Sequence, residues 1–403
     1  MGPKKTEAVP LPRFGRVRTN LKMGIVGLPN VGKSSLFNLM GDNASAAAEN
    51  FAFCTIDPNE TRCSVKDERF EYLANLWTPP SRIPAFLNLV DIAGLIKGAS
   101  EGAGLGNAFL SHIQAVDGIY HMVRAFDNLD VLHVEESVDP ARDLEVITGE
   151  LCAKDITYLE KQNALCLAEL KKDPKKKLPD VFYTVMERCN DLLRSNTPIR
   201  TAEWSAEEIH KINEVLPQLI TTKPMVYLLN ISKRDWERGG NKYLVKIKEW
   251  IDAHGGGMAI PFSVEYEEEL KRAKEAGDDA AVQALIDSTK GRGSCMDKII
   301  TSGYKALKLQ YFFTAGDKEV RAWTCMEGST APQAAGCIHS DFERGFIKAE
   351  TAAFDDFKAL HQGKKSMADV KAAGKYRQEG KQYIVKDGDI IFFQFNVTND
   401  KKK

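Results

Sequence analysis

No stretch of this 403-residue chain approaches the roughly 18–20 consecutive apolar residues of a membrane-spanning helix, so a helical span is excluded. The amino-terminal Met1-Gly2-Pro3-Lys4-Lys5 lacks an apolar segment of signal-peptide length. A soluble cytoplasmic protein with no membrane partner is the expectation, with the nucleus as a second compartment. Neither sign of charge is in excess: 55 Lys and Arg against 56 Asp and Glu leave a net charge of −1. A global pull toward nucleic acid is therefore absent, and any such contact must come from a local patch. The eight cysteines, Cys54, Cys63, Cys152, Cys166, Cys189, Cys295, Cys325 and Cys337, form no Cys-x2-Cys pair and no cluster with histidine. That excludes a zinc-ribbon type of site and reads as reduced thiols. Internal repeats are also missing.

What is present is a phosphate loop. Gly27-Leu28-Pro29-Asn30-Val31-Gly32-Lys33-Ser34-Ser35 fits Gly-x4-Gly-Lys-Ser, between the apolar run Met23–Val26 and a predicted helix Ser34–Met40. Loop N–H groups and the helix N-terminus converge on phosphates, Lys33 reaches the β and γ oxygens, and the Ser34 hydroxyl faces Mg²⁺. Asp91-Ile92-Ala93-Gly94 follows the next apolar strand, Phe86–Val90, and fits a nucleotide switch: Asp91 reaches Mg²⁺ and the Gly94 amide senses the γ-phosphate. Thr55 lies between the two motifs, where a switch threonine closes on Mg²⁺.

Base choice is expected at the end of the strand Pro224–Leu229, which runs into Asn230-Ile231-Ser232-Lys233. Guanine readers place a carboxylate at the fourth position; an ammonium cannot accept guanine's protons. A second frame, Ser232-Lys233-Arg234-Asp235, would retain Lys and Asp but moves the reading residues away from the strand end. Adenine, or relaxed base choice, is the expectation. Leu95 stands where small GTPases carry the glutamine that orients the attacking water. The glycine-rich Gly98–Asn107 follows it, and His112, His121 and His133 are the nearby histidines. Asn30 has two readings: a turn former, or a ligand helping to hold a K⁺ that adds positive charge in the transition state.

The strands and helices up to Phe126 indicate an α/β fold with a mainly parallel sheet. From Arg142, the spacing of Leu144, Ile147, Leu151 and Tyr158 predicts an amphipathic helix. A lysine-rich bend, Lys171–Lys177, then leads to a second helix over Phe182–Arg194. This helical hairpin interrupts the α/β domain, because strand texture resumes at Pro224–Leu229 and Ala259–Ser263. The bend reads as a solvated tip, with RNA contact as its alternative. Helical texture over Glu265–Gly293 and Asp297–Leu309 precedes an α+β domain with strands at Tyr311–Thr314, Val320–Cys325, Gln382–Val385 and Ile390–Phe395, and helices near Ser340–Glu350 and Ala353–His361.

The phosphate loop, Phe53-Cys54-Thr55-Ile56-Asp57-Pro58-Asn59, Val90–Leu95, Gly104–Leu110, Tyr311–Gly316, Arg321–Thr324 and Ala334-Ala335-Gly336 together resemble the Obg-like ATPases of the YchF subfamily, among the translation-factor-related G proteins. The resemblance spans almost the whole chain. It implies a G domain (20–141 and 206–304), an inserted α-helical coiled-coil domain (142–205) and a C-terminal β-grasp TGS domain (305–396). It further implies hydrolysis of ATP in preference to GTP, and a ribosomal partner, the large subunit, with RNA contact through the helical and TGS domains. Carried over by position, Asn30, Val31, Gly32, Lys33, Ser34 and Ser35 hold the phosphates, Ser34, Thr55 and Asp91 the Mg²⁺, and Asn230 with the Ile231 backbone the adenine. His133 matches a histidine implicated in hydrolysis, and Phe126 an aromatic near the base. Lys233 departs from the family's Asn-x-x-Glu.

Overall fold

The computed structural model describes residues 12–16, 20–48, 59–94, 111–128, 137–172 and 177–396. Short segments become strands, most of them apolar runs: β1 (Lys22–Val26), the polar β2 (Glu60–Ser64), the short β3 (Ser81–Ile83), β4 (Phe86–Asp91), β5 (Gly118–Arg124), β6 (Met225–Asn230) and β7 (Met258–Phe262). Two helices lie among the first of these, α1 (Lys33–Ala48) and α2 (Glu68–Trp77). The first six-stranded sheet has the order β2-β4-β1-β5-β6-β7. β5, β6 and β7 run parallel, with Arg124 opposite Asn230 and Asn230 opposite Phe262, so their carboxyl ends finish level. All seven residues of β5 are buried, as expected of a parallel strand covered on both faces.

The chain divides into two compact units, one of 1–16, 24–36 and 91–293, the other of 17–23, 37–90 and 294–403. The first unit holds β5–β7 and seven further helices: α3 (Pro140–Lys172), α4 (Asp180–Arg194), α5 (Ala206–Val215), α6 (Lys233–Arg238), α7 (Tyr243–Ala253), α8 (Val264–Glu275) and α9 (Asp279–Ser288). The Asp139 side chain accepts from the Ala141 and Arg142 amides, and Pro140 occupies the first turn, which together start α3. Leu144, Ile147 and Leu151 are buried as their spacing predicts. Further along, Cys152 and Leu159 of α3 pack with Phe182, Val185, Met186, Cys189 and Leu193 of α4. Ile212 of α5 joins the same core. Each fully buried leucine of this kind is worth about 1.5–3 kcal/mol.

The second unit is built on a mixed sheet of order β11-β10-β12-β8-β9-β3, with β8 (Leu309–Ala315), β9 (Glu319–Met326), β10 (Phe346–Ala352), β11 (Arg377–Glu379) and β12 (Ile390–Phe395). Its helices are α10 (Met296–Ala306), α11 (Ala331–Ile338), α12 (Ser340–Arg344), α13 (Phe354–Leu360) and α14 (Ala368–Ala372). The small residues Ala331, Ala334 and Ala335 let α11 lie close on Phe312, Phe346, Ile391 and Phe393. On α2, Arg69 stacks 5.6 Å from the Tyr311 ring and pairs with Asp387 at 2.8 Å. β3 is an edge strand of this sheet, parallel to β9 with Ser81 opposite Glu319.

Two sequence expectations fail here. The helix expected over Ser340–Glu350 stops at Arg344, and Phe346–Ala352 forms β10 between β11 and β12. Lys348, Ala349 and Glu350 favour helix locally, but ladder pairing on both sides overrides that preference. The strand expected over Gln382–Val385 reduces to one bridge between Ile384 and Thr330, while the paired strand lies earlier, at β11. All seven described cysteines are free thiols, and no described helix is long and apolar enough to cross a membrane.

Candidate functional site

The phosphate loop leaves the buried end of β1 and enters α1, where the Leu36 amide donates to the Gly32 carbonyl at 3.0 Å. Gly32 has φ +101°, and a Cβ there would lie 2.9 Å from Asn230 Nδ2, so backbone conformation and space both require glycine. Asn30 also takes the left-handed region, at φ 60°, which asparagine tolerates and which is compatible with its turn-forming reading. Val31 is buried, Ser34 exposed and Ser35 half-buried at the helix start.

Lys33 is buried, and its Nζ donates to the Leu28 carbonyl at 2.8 Å, folding the side chain back over the loop. Burial pushes its pKa down to about 8, with Asp91 pulling in the opposite direction. An arriving phosphate would offer this ammonium the anionic partner that the loop carbonyl only approximates.

Ser34 and Asp91 meet: the Ser34 hydroxyl donates to Asp91 Oδ2 at 2.9 Å. The other carboxylate oxygen, Oδ1, is buried with no hydrogen-bond partner among the described residues. A hydroxyl beside a carboxylate with one oxygen unspent is a hard-oxygen donor set that fits Mg²⁺ or its bound water. No group of three or more His, Cys, Asp or Glu gathers as a metal cage among the described residues, and Mg²⁺ usually takes remaining ligands from water and substrate phosphates. Gly94 lies against the loop, where a Cβ would stand 3.0 Å from Pro29 N.

The opposite end of the site is built at the carboxyl ends of β6 and β7. Asn230, buried as the last residue of β6, donates through Nδ2 to the Val31 carbonyl at 3.0 Å. Its Oδ1 accepts from the Val264 amide at 3.1 Å, so one side chain ties the phosphate loop to the turn after β7. The Ile231 amide donates to the Phe262 carbonyl at 2.9 Å. Ser232 caps α6 by accepting from the Asp235 amide at 3.1 Å, and the Asp235 carboxylate accepts from Asn241 Nδ2 at 3.0 Å. Both polar ends of the second frame are thereby engaged. Lys233 pairs with Glu269 on α8, has Glu237 at 4.0 Å, and donates its amide to Glu265 at 3.3 Å. Hydrogen bonding to Glu269 raises its pKa.

Phosphate-loop residues, Asp91, Gly94, Asn230 and Ile231 therefore fall within one unit. Thr55, Leu95, Gly98–Asn107 and His133 lie outside the described residues. His112 is exposed, whereas His121 is buried in β5 beside Tyr227, and burial followed by Arg200 pushes its pKa down to about 3. His121 is a neutral core histidine. Phe126 is half-buried, with the Arg124 guanidinium 4.7 Å from its ring. Val264, Glu265 and Glu269 were not found by motif; the available signal was the apolar run Ala259–Phe262 ending in Ser263, which caps α8.

Residues 22–157 match the family model described as 50S ribosome-binding GTPase. Residues 309–396 match that of the YchF GTPase C-terminal region, described as a protein of unknown function. Obg-like ATPase 1 of Rattus norvegicus is 50% identical over 404 residues, 98% of this chain and 97% of the relative, and the Homo sapiens protein of that name gives the same values. Among solved structures, the Schizosaccharomyces pombe YchF GTPase matches with a TM-score of 0.81 at 43% identity, over 95% of this chain and 100% of that one. The names of these relatives divide between ATPase and GTPase.

Proposed function

The chain belongs to the Obg-like ATPase family, the YchF branch of the P-loop nucleotide hydrolases, and from that premise we propose that it is a slow, Mg²⁺-dependent ATP switch acting on the ribosome. The observation that carries this reading is the Ser34–Asp91 pair, with its unspent carboxylate oxygen, beside a lysine folded into the phosphate loop. Ser34 and Asp91, with Thr55, hold Mg²⁺, which when bound neutralises charge on the phosphates. Lys33 leaves the Leu28 carbonyl for the β and γ oxygens, and the Gly94 amide senses the γ-phosphate. With Leu95 unable to orient water, His133 is the proposed partner in hydrolysis.

Adenine preference is supported by the base end, where Lys233 offers a donor and the nearest Asp, Asp235, is bonded to Asn241. Asn230 retains one N–H and one lone pair for a base, and the Ile231 carbonyl adds an acceptor. On this reading 20–141 and 206–304 form a G domain, 142–205 the helical insertion and 305–396 a TGS domain, in keeping with family-model matches over 22–157 and 309–396. The large ribosomal subunit is the proposed partner, with RNA contact through the latter two, and the cytoplasm, with the nucleus, the proposed location.

Single-turnover phosphate release from ATP and from GTP, with and without ribosomes, tests the proposal. Faster release from ATP in the presence of ribosomes is expected. Binding without turnover under all conditions would favour the second reading, a nucleotide-gated binding protein, which Leu95 motivates. A higher rate in K⁺ than in Na⁺ is expected if Asn30 helps to hold a monovalent cation; equal rates would remove that role.

A further inference from the structure

Lys223, in the turn before β6, enters none of the steps above. Its ammonium donates to the carbonyls of Ile113 at 2.8 Å, Gln114 at 3.0 Å and Val116. These carbonyls close the helical residues 111–115, so the cation meets acceptors left over at a helix C-terminus and uses all three of its N–H donors.

The turn that carries Lys223 is itself pinned by Asp155 of α3. This fully buried carboxylate accepts from the Ile220 amide at 2.9 Å, the Thr221 amide at 2.7 Å and the Thr221 hydroxyl at 2.7 Å. On the other side of Lys223, Val116 is buried against β1. A Cβ on Gly24 would lie 2.9 Å from Val116 Cγ2 and 2.6 Å from Ile92 Cδ1, so both side chains rest directly on the Gly24 backbone. Ile92 follows Asp91, and its amide donates to the Ile25 carbonyl at 3.3 Å. A continuous run of contacts thus leads from the helical hairpin through Asp155, Lys223 and Val116 to the strand that ends in the phosphate loop and to the residue beside Asp91.

We propose that Lys223 and Asp155 are positioning residues for nucleotide hydrolysis, holding Val116 against Gly24 and Ile92 so that the phosphate loop and Asp91 keep the register that Mg²⁺-nucleotide binding requires. The inference rests on the nucleotide-hydrolase reading. Burial pushes the Lys223 pKa down to about 8; of the charged groups around it, Asp117 and Asp155 raise it and Arg16 lowers it.

The test uses the full-length protein with Lys223→Met, Lys223→Arg and Asp155→Asn. ATP hydrolysis and ATP affinity are measured with and without Mg²⁺. Lys223→Met should slow hydrolysis roughly tenfold, since small displacements remote from the chemistry are costly, and should shrink the gain in ATP affinity that Mg²⁺ confers. Lys223→Arg should restore most of both, and Asp155→Asn should show a smaller loss in the same direction. Above about pH 8 the unchanged protein should lose rate relative to Lys223→Arg, whose cation does not titrate there. A folded Lys223→Met protein with unchanged rate and unchanged Mg²⁺ dependence, altered only in melting temperature, would overturn the inference. Should Lys223→Met fail to fold, Val116→Ala decides: it keeps the ammonium and its acceptors but loosens the contact on Gly24, and unchanged Mg²⁺-dependent affinity would again overturn it. If the unchanged protein never hydrolyses ATP, the functional reading fails, and the affinity measurements in the same variants still judge the positioning role.

Discussion

The two ends of the nucleotide site differ in what their side chains have left to give. At the phosphate end, Lys33 makes do with a loop carbonyl and Asp91 keeps a buried oxygen unspent. At the base end the polar side chains are committed within the protein: Asn230 to Val31 and Val264, Ser232 to α6, Asp235 to Asn241 and Lys233 to Glu269. An unsatisfied buried group gains most from a ligand, because it carries a desolvation cost that the ligand relieves. The phosphate end is therefore built to supply affinity. On the proposed reading the base end supplies shape, with selectivity drawn from backbone groups and the remaining capacity of Asn230.

Substitutions at the two ends should separate these roles. Lys33→Ala should have the largest effect, weakening ATP and GTP alike by at least about a hundredfold in a fluorescent-nucleotide titration. Retained micromolar affinity would break the comparison. Asp91→Asn should reduce Mg²⁺-supported binding about tenfold while leaving Mg²⁺-free binding nearly unchanged; a loss equal in both conditions would remove its metal role. Asn230→Ala should cost about fivefold for GTP and somewhat more for ATP, since it releases the phosphate loop and the turn after β7 together and also removes a contact to adenine. If it altered only the ratio of ATP to GTP, Asn230 would be a reader of the base and not a brace.

The smallest effect is a matter of pH. Between pH 8 and the ordinary lysine value of 10.5 the unfolded chain binds more protons at Lys33 than the folded chain does. Stability relative to Lys33→Met should therefore rise with pH across that window, and the burial penalty should be fully present below it. A phosphate partner reverses the preference, so nucleotide binding near pH 8.5 should take up protons, measurable by calorimetry in buffers of different ionisation enthalpy. Absence of uptake would place Lys33 away from the phosphates.

Much of this was legible in the sequence because the phosphate end is local. Gly27 to Ser35 is a continuous motif, and Asp91 to Gly94 sits one apolar strand later, so spacing alone identified Ser34 and Asp91 before their contact was known. Asn230 was found by its place at a strand end, but not its double attachment, which joins residues 199 and 34 positions apart. The Lys233–Glu269 pair was invisible for a similar reason, since nothing local links a helix start to an acid 36 residues on. In the second unit, Lys348, Ala349 and Glu350 spell helix, and only the strands on either side of β10 say otherwise. β3 escaped because three residues after Thr78-Pro79-Pro80 show no periodicity.

That short edge strand carries a consequence for how the chain is made. Ser81 meets a partner, Glu319, that emerges from synthesis 238 residues later. At about 5–20 residues per second that is a wait of roughly 10 to 50 s, during which the nascent segment around α2 and β3 has no sheet to join. Trp77 and Ile83, buried in the finished protein, would meanwhile be open to a chaperone or to a neighbouring nascent chain. Pairing of β3 is thus an event that follows translation of β9, and a stalled chain ending before Glu319 should be selectively sensitive to proteolysis between α2 and β4.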